Sequence, residues 1–145
     1  MQTNPKLDLA YNFVQYTGQN IFLTGKAGTG KTTFLKSLKE KSPKRMIVVA
    51  PTGVAAINAG GVTIHSFFQL SFAPQVGTES EQMKQKRYTK NKINIIRSLE
   101  LLVIDEISMV RADILDAIDR VLRRFKNRTK PFGGVQVLMI GDLQQ

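Results

Sequence analysis

Cysteine is absent from the sequence and histidine occurs once, as His65. The first absence excludes disulfides and thiolate metal sites, and the second excludes a metal site built from histidines. No apolar run approaches the roughly 20 residues of a membrane-spanning helix. The polar start Met1-Gln2-Thr3-Asn4-Pro5 also lacks the basic-then-apolar layout of a secretion signal. A soluble intracellular chain, cytoplasmic or nucleoid-associated and with no membrane partner, is the expectation. Carboxylates are scarce: 11 Asp and Glu stand against 21 Lys and Arg, a formal net charge of +10. An excess of this size favours a polyanionic partner, nucleic acid first, over a merely solubilising surface. Neither a second phosphate-binding loop nor a fixed-period repeat divides the 145 residues, so one domain with a full core, spanning 1–145, is expected.

What the sequence does contain centres on Gly25-Lys26-Ala27-Gly28-Thr29-Gly30-Lys31-Thr32, followed by Thr33. It fills every fixed position of a phosphate loop: Gly, four residues, then Gly-Lys and a hydroxyl residue. The apolar Ile21-Phe22-Leu23 before it reads as a strand, and Phe34, Leu35 and Leu38 after it read as one face of a helix. Glycines let successive backbone N–H groups turn toward a phosphate, and the helix N-terminus adds free N–H groups and a positive dipole end. In this context Lys31 reaches the β- and γ-phosphates and the Thr32 hydroxyl becomes a magnesium ligand.

The remaining pattern alternates strands with helices. Pro5 in a first turn capped by Asn4, with Leu7, Ala10, Tyr11 and Val14 at helical spacing, predicts a helix closed by Gly18. Met46-Ile47-Val48-Val49-Ala50 reads as a buried strand, Val54 to Asn58 as a short helix ended by Gly60-Gly61, and Leu101-Leu102-Val103-Ile104 as a second buried strand. Residues 71–92 show weak periodicity and crowd Lys84, Lys86, Arg87, Lys90 and Lys92 together, predicting a mobile basic insertion. Ile93, Ile96 and Leu99 predict a short helix after it. Arg111 to Phe125 is the clearest helix, with Ile114, Ile118, Val121, Leu122 and Phe125 on one face and Asp116–Arg120 and Asp119–Arg123 at four-residue spacing. Gly133-Gly134 turns into a last strand, Val135 to Ile140. The alternation predicts an α/β fold, a doubly wound and mostly parallel sheet with helices on both faces.

In such a sheet the carboxyl ends of the strands face the ligand crevice, so Asp105 and Glu106 emerge beside the phosphate loop. Phosphoryl transfer to water needs a carboxylate to hold magnesium and a group to deprotonate the water, and adjacent carboxylates supply both. Asp105 takes the metal role and Glu106 the base. Gly141-Asp142 ends another apolar strand, from which Gln145 can sense a γ-phosphate.

Five segments together resemble the Pif-type DNA helicases, of the RecD-related branch of superfamily 1. They are residues 25–33, Ala50-Pro51-Thr52-Gly53-Val54-Ala55-Ala56, Thr63-Ile64-His65-Ser66-Phe67, Asp105-Glu106-Ile107-Ser108-Met109-Val110 and Gly141-Asp142-Leu143-Gln144-Gln145, similar in order to motifs I, Ia with its histidine extension, II and III. The resemblance implies a RecA-like P-loop NTPase motor domain using ATP and Mg2+, with travel on single-stranded DNA from the 5′ toward the 3′ end. It implies catalytic roles for Lys31, Glu106 and the γ-phosphate sensor Gln145, and nucleotide binding by Gly25, Lys26, Ala27, Gly28, Thr29, Gly30, Lys31, Thr32 and Thr33. Thr32 and Asp105 become the metal ligands, and Pro51, Thr52, Gly53, His65, Ser66 and Phe67 lie along the DNA strand. For His65, Phe67 and Phe68 the alternative is a core cluster with one satisfied histidine. The family's adenine-reading glutamine has no counterpart at Leu7 and Asp8 of the first helix. The second RecA-like domain, with its arginine finger, is a missing partner in cis, so the chain reads as a fragment. A nucleotide-switched DNA-binding or clamp-loading module, without translocation, is the alternative function.

Overall fold

The computed structural model describes residues 5–24, 30–42, 44–70 and 88–141. Helix α1 (Pro5–Tyr16) precedes strand β1 (Ile21–Thr24), then come α2 (Lys31–Lys41), β2 (Met46–Ala50) and α3 (Gly53–Ala59). After them follow β3 (Val62–Thr63), α4 (Ile64–Phe68), α5 (Lys90–Ser98), β4 (Leu101–Ile104), α6 (Ala112–Phe125) and β5 (Gln136–Gly141). Single 3-10 turns occupy Ile107–Met109 and Pro131–Gly134.

The strands form one sheet in the order β1-β5-β4-β2-β3, and every pairing is parallel. Parallel neighbours need crossover helices, and these cover both faces, which is why β4 is buried at all four residues and reads as an unbroken apolar run. Its side chains alternate. Leu102 and Ile104 join Val49 and Val137 under α4, α5 and α6. Leu101 and Val103 join Val48, Leu138 and Ile140 against Val14 of α1 and Leu35 and Leu38 of α2. Each fully buried Leu or Ile contributes about 1.5–3 kcal/mol of transfer free energy, so these two layers fix the level at which every strand ends. The fold class is the one the sequence pattern predicts.

Boundaries differ locally. Helix α1 closes at Thr17, whose N–H and hydroxyl both donate to the Phe13 carbonyl (3.1 and 2.6 Å), so a left-handed Gly18 is not needed. Helix α5 starts at Lys90 because the Thr89 hydroxyl accepts the Lys92 N–H at 3.1 Å. Lys90 and Lys92 therefore belong to a helix and not to the basic insertion; residues 71–87, with Lys84, Lys86 and Arg87, lie outside the described residues, as does Asn4. Tyr88 anchors the chain entering α5: its hydroxyl donates to the Phe68 carbonyl at 2.9 Å, and burial pushes its pKa up to about 12. Of the two pairs expected on α6, Asp119–Arg123 forms at 3.0 Å.

Candidate functional site

The sheet order places β5 between β1 and β4, with Thr24 opposite Gly141 and Ile104 opposite Met139. The end of the strand leading into the phosphate loop, the Asp105-Glu106 pair and Gly141 therefore open on one edge. Residues 25–29, the side chains of Lys31 and Thr32, and residues 142–145 with Gln145 lie outside what is described. What is described of the loop is its exit: Gly30 is the N-cap of α2 with φ 90°, a left-handed conformation natural to glycine. A Cβ there would sit 3.3 Å from Leu7 Cδ1, so the start of α1 leans on the loop's end.

Asp105 continues the β4 ladder through its N–H, which donates to the Val49 carbonyl at 2.9 Å. Its Oδ1 is buried and has no hydrogen-bond partner. A buried carboxylate oxygen left in that state costs about 1–3 kcal/mol or more, and a hard cation would offset it. The donor therefore fits magnesium or a similar oxygen-seeking ion. Glu106 has φ 55° and ψ 46°, left-handed for a residue with a side chain, and its carbonyl accepts the Met109 N–H at 3.0 Å. Such a conformation costs on the order of 1–3 kcal/mol and recurs at functional sites. It turns the chain sharply out of β4, so the consecutive residues Asp105 and Glu106 do not alternate as on a strand. Gly141 closes the other side: a Cβ there would meet Ile107 Cγ2 at 2.7 Å, so the end of β5 and the turn after Glu106 touch because residue 141 lacks a side chain.

A second feature lies on the same edge, beyond β2. A pocket of about 190 Å³ is lined by Pro51 and Thr52 from the β2–α3 turn, Ile64 and His65 from α4, and Met109 and Arg111 after the carboxylate pair. Thr52 and Thr63 position it by capping their helices: their hydroxyls accept the N–H groups of Ala55 (3.2 Å) and Ser66 (3.1 Å). Thr52, Gly53 and Ser66 are exposed and Pro51 and His65 are half-buried. Burial, and secondarily the Arg111 guanidinium, hold the His65 pKa below its ordinary value, so the imidazole is neutral at pH 7.

Phe67 corrects an expectation. It is 3% exposed, edge-on to Phe68 at 4.8 Å between ring centroids, with the Lys92 ammonium 4.4 Å above its ring. Its ring is withdrawn from the surface and packs α4 into the core beside Ile64 and Phe68. The segment thus divides, with Phe67 and Phe68 in the core and His65 at the pocket. Met109, Val110, Arg111 and Ile114 also line the pocket, and sequence reasoning gave none of them a binding role. A signal existed for Arg111. It is the N-cap of α6, where a small oxygen-bearing side chain is preferred and a cation opposes the helix dipole, and Asp113 in the first turn compensates it at 3.0 Å.

The chain is similar to known proteins in sequence and in fold. The family model described as PIF1-like helicase matches residues 7–145. The ATP-dependent DNA helicase PIF1 of Candida albicans is 38% identical over 133 residues, covering 89% of this chain and 14% of that protein. The human ATP-dependent DNA helicase PIF1 is 40% identical over 130 residues, covering 88% and 20%. The crystal structure of Bacteroides sp Pif1 in complex with ADP-AlF4 superposes with a TM-score of 0.89 at 53% identity, over all of this chain and 33% of that one. Bacteroides Pif1 bound to ssDNA gives 0.88 at 51%, over 100% and 33%. The chain spans about a fifth or less of the length of these curated relatives and a third of the solved ones. A family match over nearly every residue, joined to a sheet that brings the loop's end, the carboxylate pair and Gly141 to one edge, has one reading: the chain belongs to the PIF1-like helicase family.

Proposed function

We propose that this chain is the ATP-binding motor domain of a DNA helicase, holding Mg-ATP at the phosphate loop and one wall of a single-stranded DNA path at the pocket beside it. The observation that carries the reading is the shared edge, on which Asp105 and Glu106 follow β4 and the Thr52–His65–Arg111 pocket lies one short turn further along the same segment. Relatives solved with ADP-AlF4 and with ssDNA support both ligands.

Lys31 binds the β- and γ-phosphates, and Thr32 and Asp105 hold the cation. Bound magnesium neutralises charge on those phosphates. Glu106 accepts a proton from the attacking water, and Gln145 contacts the γ-phosphate. The Thr52 hydroxyl, which accepts from Ala55 N–H, keeps its hydrogen to donate to a DNA phosphate, and Arg111 supplies positive charge at the pocket mouth. Lys31→Ala is expected to remove most Mg-ATP affinity and leave the melting temperature unchanged. Glu106→Gln is expected to bind nucleotide normally and stop turnover, because an amide cannot accept the proton. Undiminished steady-state hydrolysis by Glu106→Gln, in a polypeptide carrying both motor domains, would exclude Glu106 as the base.

A further inference from the structure

The nucleotide and single-strand reading uses the carboxyl edge of the sheet, and much of the chain's excess positive charge lies at the opposite edge. There β2, β4 and β5 begin in register, with Met46 opposite Leu101 and Leu101 opposite Gln136. Arg45 and Glu100 bond each other twice, through the Glu100 N–H to the Arg45 carbonyl (2.9 Å) and the Arg45 N–H to the Glu100 carboxylate (3.1 Å). Lys126, just past α6, donates to the carbonyls of Arg97 (3.0 Å) and Leu99 (2.6 Å), and Lys44 donates to that of Thr17 (2.7 Å). The strand starts and the ends of α1, α5 and α6 therefore form one continuous rim.

Cations on this rim are of two kinds. Lys44 and Lys126 serve carbonyls of the fold, and burial lowers the pKa of each, opposed in part by Glu100. Arg45, Arg97, Arg128 and Lys130 are exposed. Among the described residues the ion pairs are Arg111–Asp113 and Arg123–Asp119, so none of these four is engaged in one. Glu100 is the carboxylate between them, and Glu40 and Lys41, at the end of α2 on the same edge, cancel each other.

We propose that this rim is a second nucleic-acid surface, which grips the phosphate backbone of duplex DNA independently of the single-strand path. The two edges are a strand length apart, roughly 15 Å for strands of this size, so phosphates held at the pocket cannot also neutralise the rim. Three of the four free cations are arginines, whose planar fork matches phosphate oxygens. An acidic protein partner would call for an apolar centre ringed by charge. Among the described residues the exposed apolar side chains Val54, Ile57 and Val62 instead gather around α3 and β3, and the rim has two separate ones, Tyr16 of α1 and Ile95 in the last turn of α5. A single strand would call for aromatic platforms under its bases, whereas a duplex stacks its bases internally and presents a dense double row of phosphates.

The test compares the protein with its Arg45→Gln/Arg97→Gln/Arg128→Gln/Lys130→Gln variant, using labelled blunt duplex and labelled oligothymidine in anisotropy titrations across a salt series. The variant is expected to bind duplex about tenfold or more weakly at low salt, with the slope of log K against log salt flattened by roughly three to four. Oligothymidine affinity and the melting temperature are expected to stay unchanged. No duplex binding by the parent, equal duplex binding by both proteins, or equal loss toward both DNAs overturns the proposal. Rim-dependent capture of polyglutamate in place of duplex would reassign the surface to an acidic protein. If the parent ignores oligothymidine yet binds duplex through the rim, the single-strand reading fails and the rim stands.

Discussion

Asp105 and His65 place opposite demands on the fold. The buried Asp105 Oδ1 lacks a partner, so the carboxylate is held at a cost that a bound cation would recover. Asp105→Asn is accordingly expected to lose cation-dependent nucleotide binding and to melt no lower than the parent without ligand, since an amide is cheaper to bury than a charge. Differential scanning fluorimetry with and without Mg-nucleotide separates the two effects, and a large destabilisation of the ligand-free variant would contradict the account. His65 is the chain's one histidine, so its imidazole resonance can be followed without assignment. Because its folded pKa lies below the ordinary 6.5, the unfolded chain takes up the proton first. Stability is full above pH 6.5 and falls as pH drops from there through the folded midpoint. Arg111→Gln is expected to raise that midpoint, and so is added single-stranded DNA, whose phosphates favour the imidazolium. A midpoint at or above 6.5 in the free protein would refute this. The place of Asp105 and Glu106 just past the end of β4 was legible because an apolar run fixes where a strand ends. Phe67 was misread even though Ile64, Phe67 and Phe68 stand at i, i+3 and i+4, the spacing of a buried helical face.

Elements meet at two points where one residue joins three. Gln136 is 3% exposed at the start of β5. Its amide donates to the carbonyls of Phe13 (3.2 Å) and Gln19 (2.8 Å), and its oxygen accepts from Lys44 at 2.6 Å. It ties the end of α1 to the sheet. Gln136→Leu leaves these partners unpaired and is expected to cost about 3 kcal/mol in urea denaturation; Lys44→Met in the same chain should recover part of that by removing the stranded charge. Strict additivity of the two losses would show that the bond does not couple them. At the other edge, Gly141→Ala drives a methyl group into Ile107 and so into the turn set by Glu106. A stability loss of about 1–3 kcal/mol is expected, with single-turnover hydrolysis falling further than nucleotide affinity; equal losses in both would mean that Glu106 does not move. Strands and long helices were legible as periodicity. The left-handed Glu106 and the turn behind it were not, since a non-glycine residue at φ 55° leaves no compositional mark.

At the scale of the whole molecule, the chain presents one RecA-like parallel sheet with carboxylates, loop end and pocket along its carboxyl edge as a single wall. The family resemblance implies that the nucleotide lies between this wall and a second RecA-like domain, which contributes an arginine toward the transferred phosphoryl group. Arg111, the arginine described on this edge, is already paired with Asp113 at 3.0 Å and lines the pocket with His65. Such a finger is worth about a thousandfold or more in turnover in other phosphate-loop enzymes, because it meets charge that develops only in the transition state. A polypeptide of these 145 residues alone is therefore expected to bind Mg-nucleotide weakly at best, to release phosphate at a near-background rate and to gain nothing from single-stranded DNA. Joined to a second motor domain it should recover nucleotide affinity, DNA-stimulated turnover and unwinding together. Phosphate release by both polypeptides, with and without oligothymidine, decides the matter, and robust DNA-stimulated turnover by the short one would mean that the wall is catalytically complete by itself.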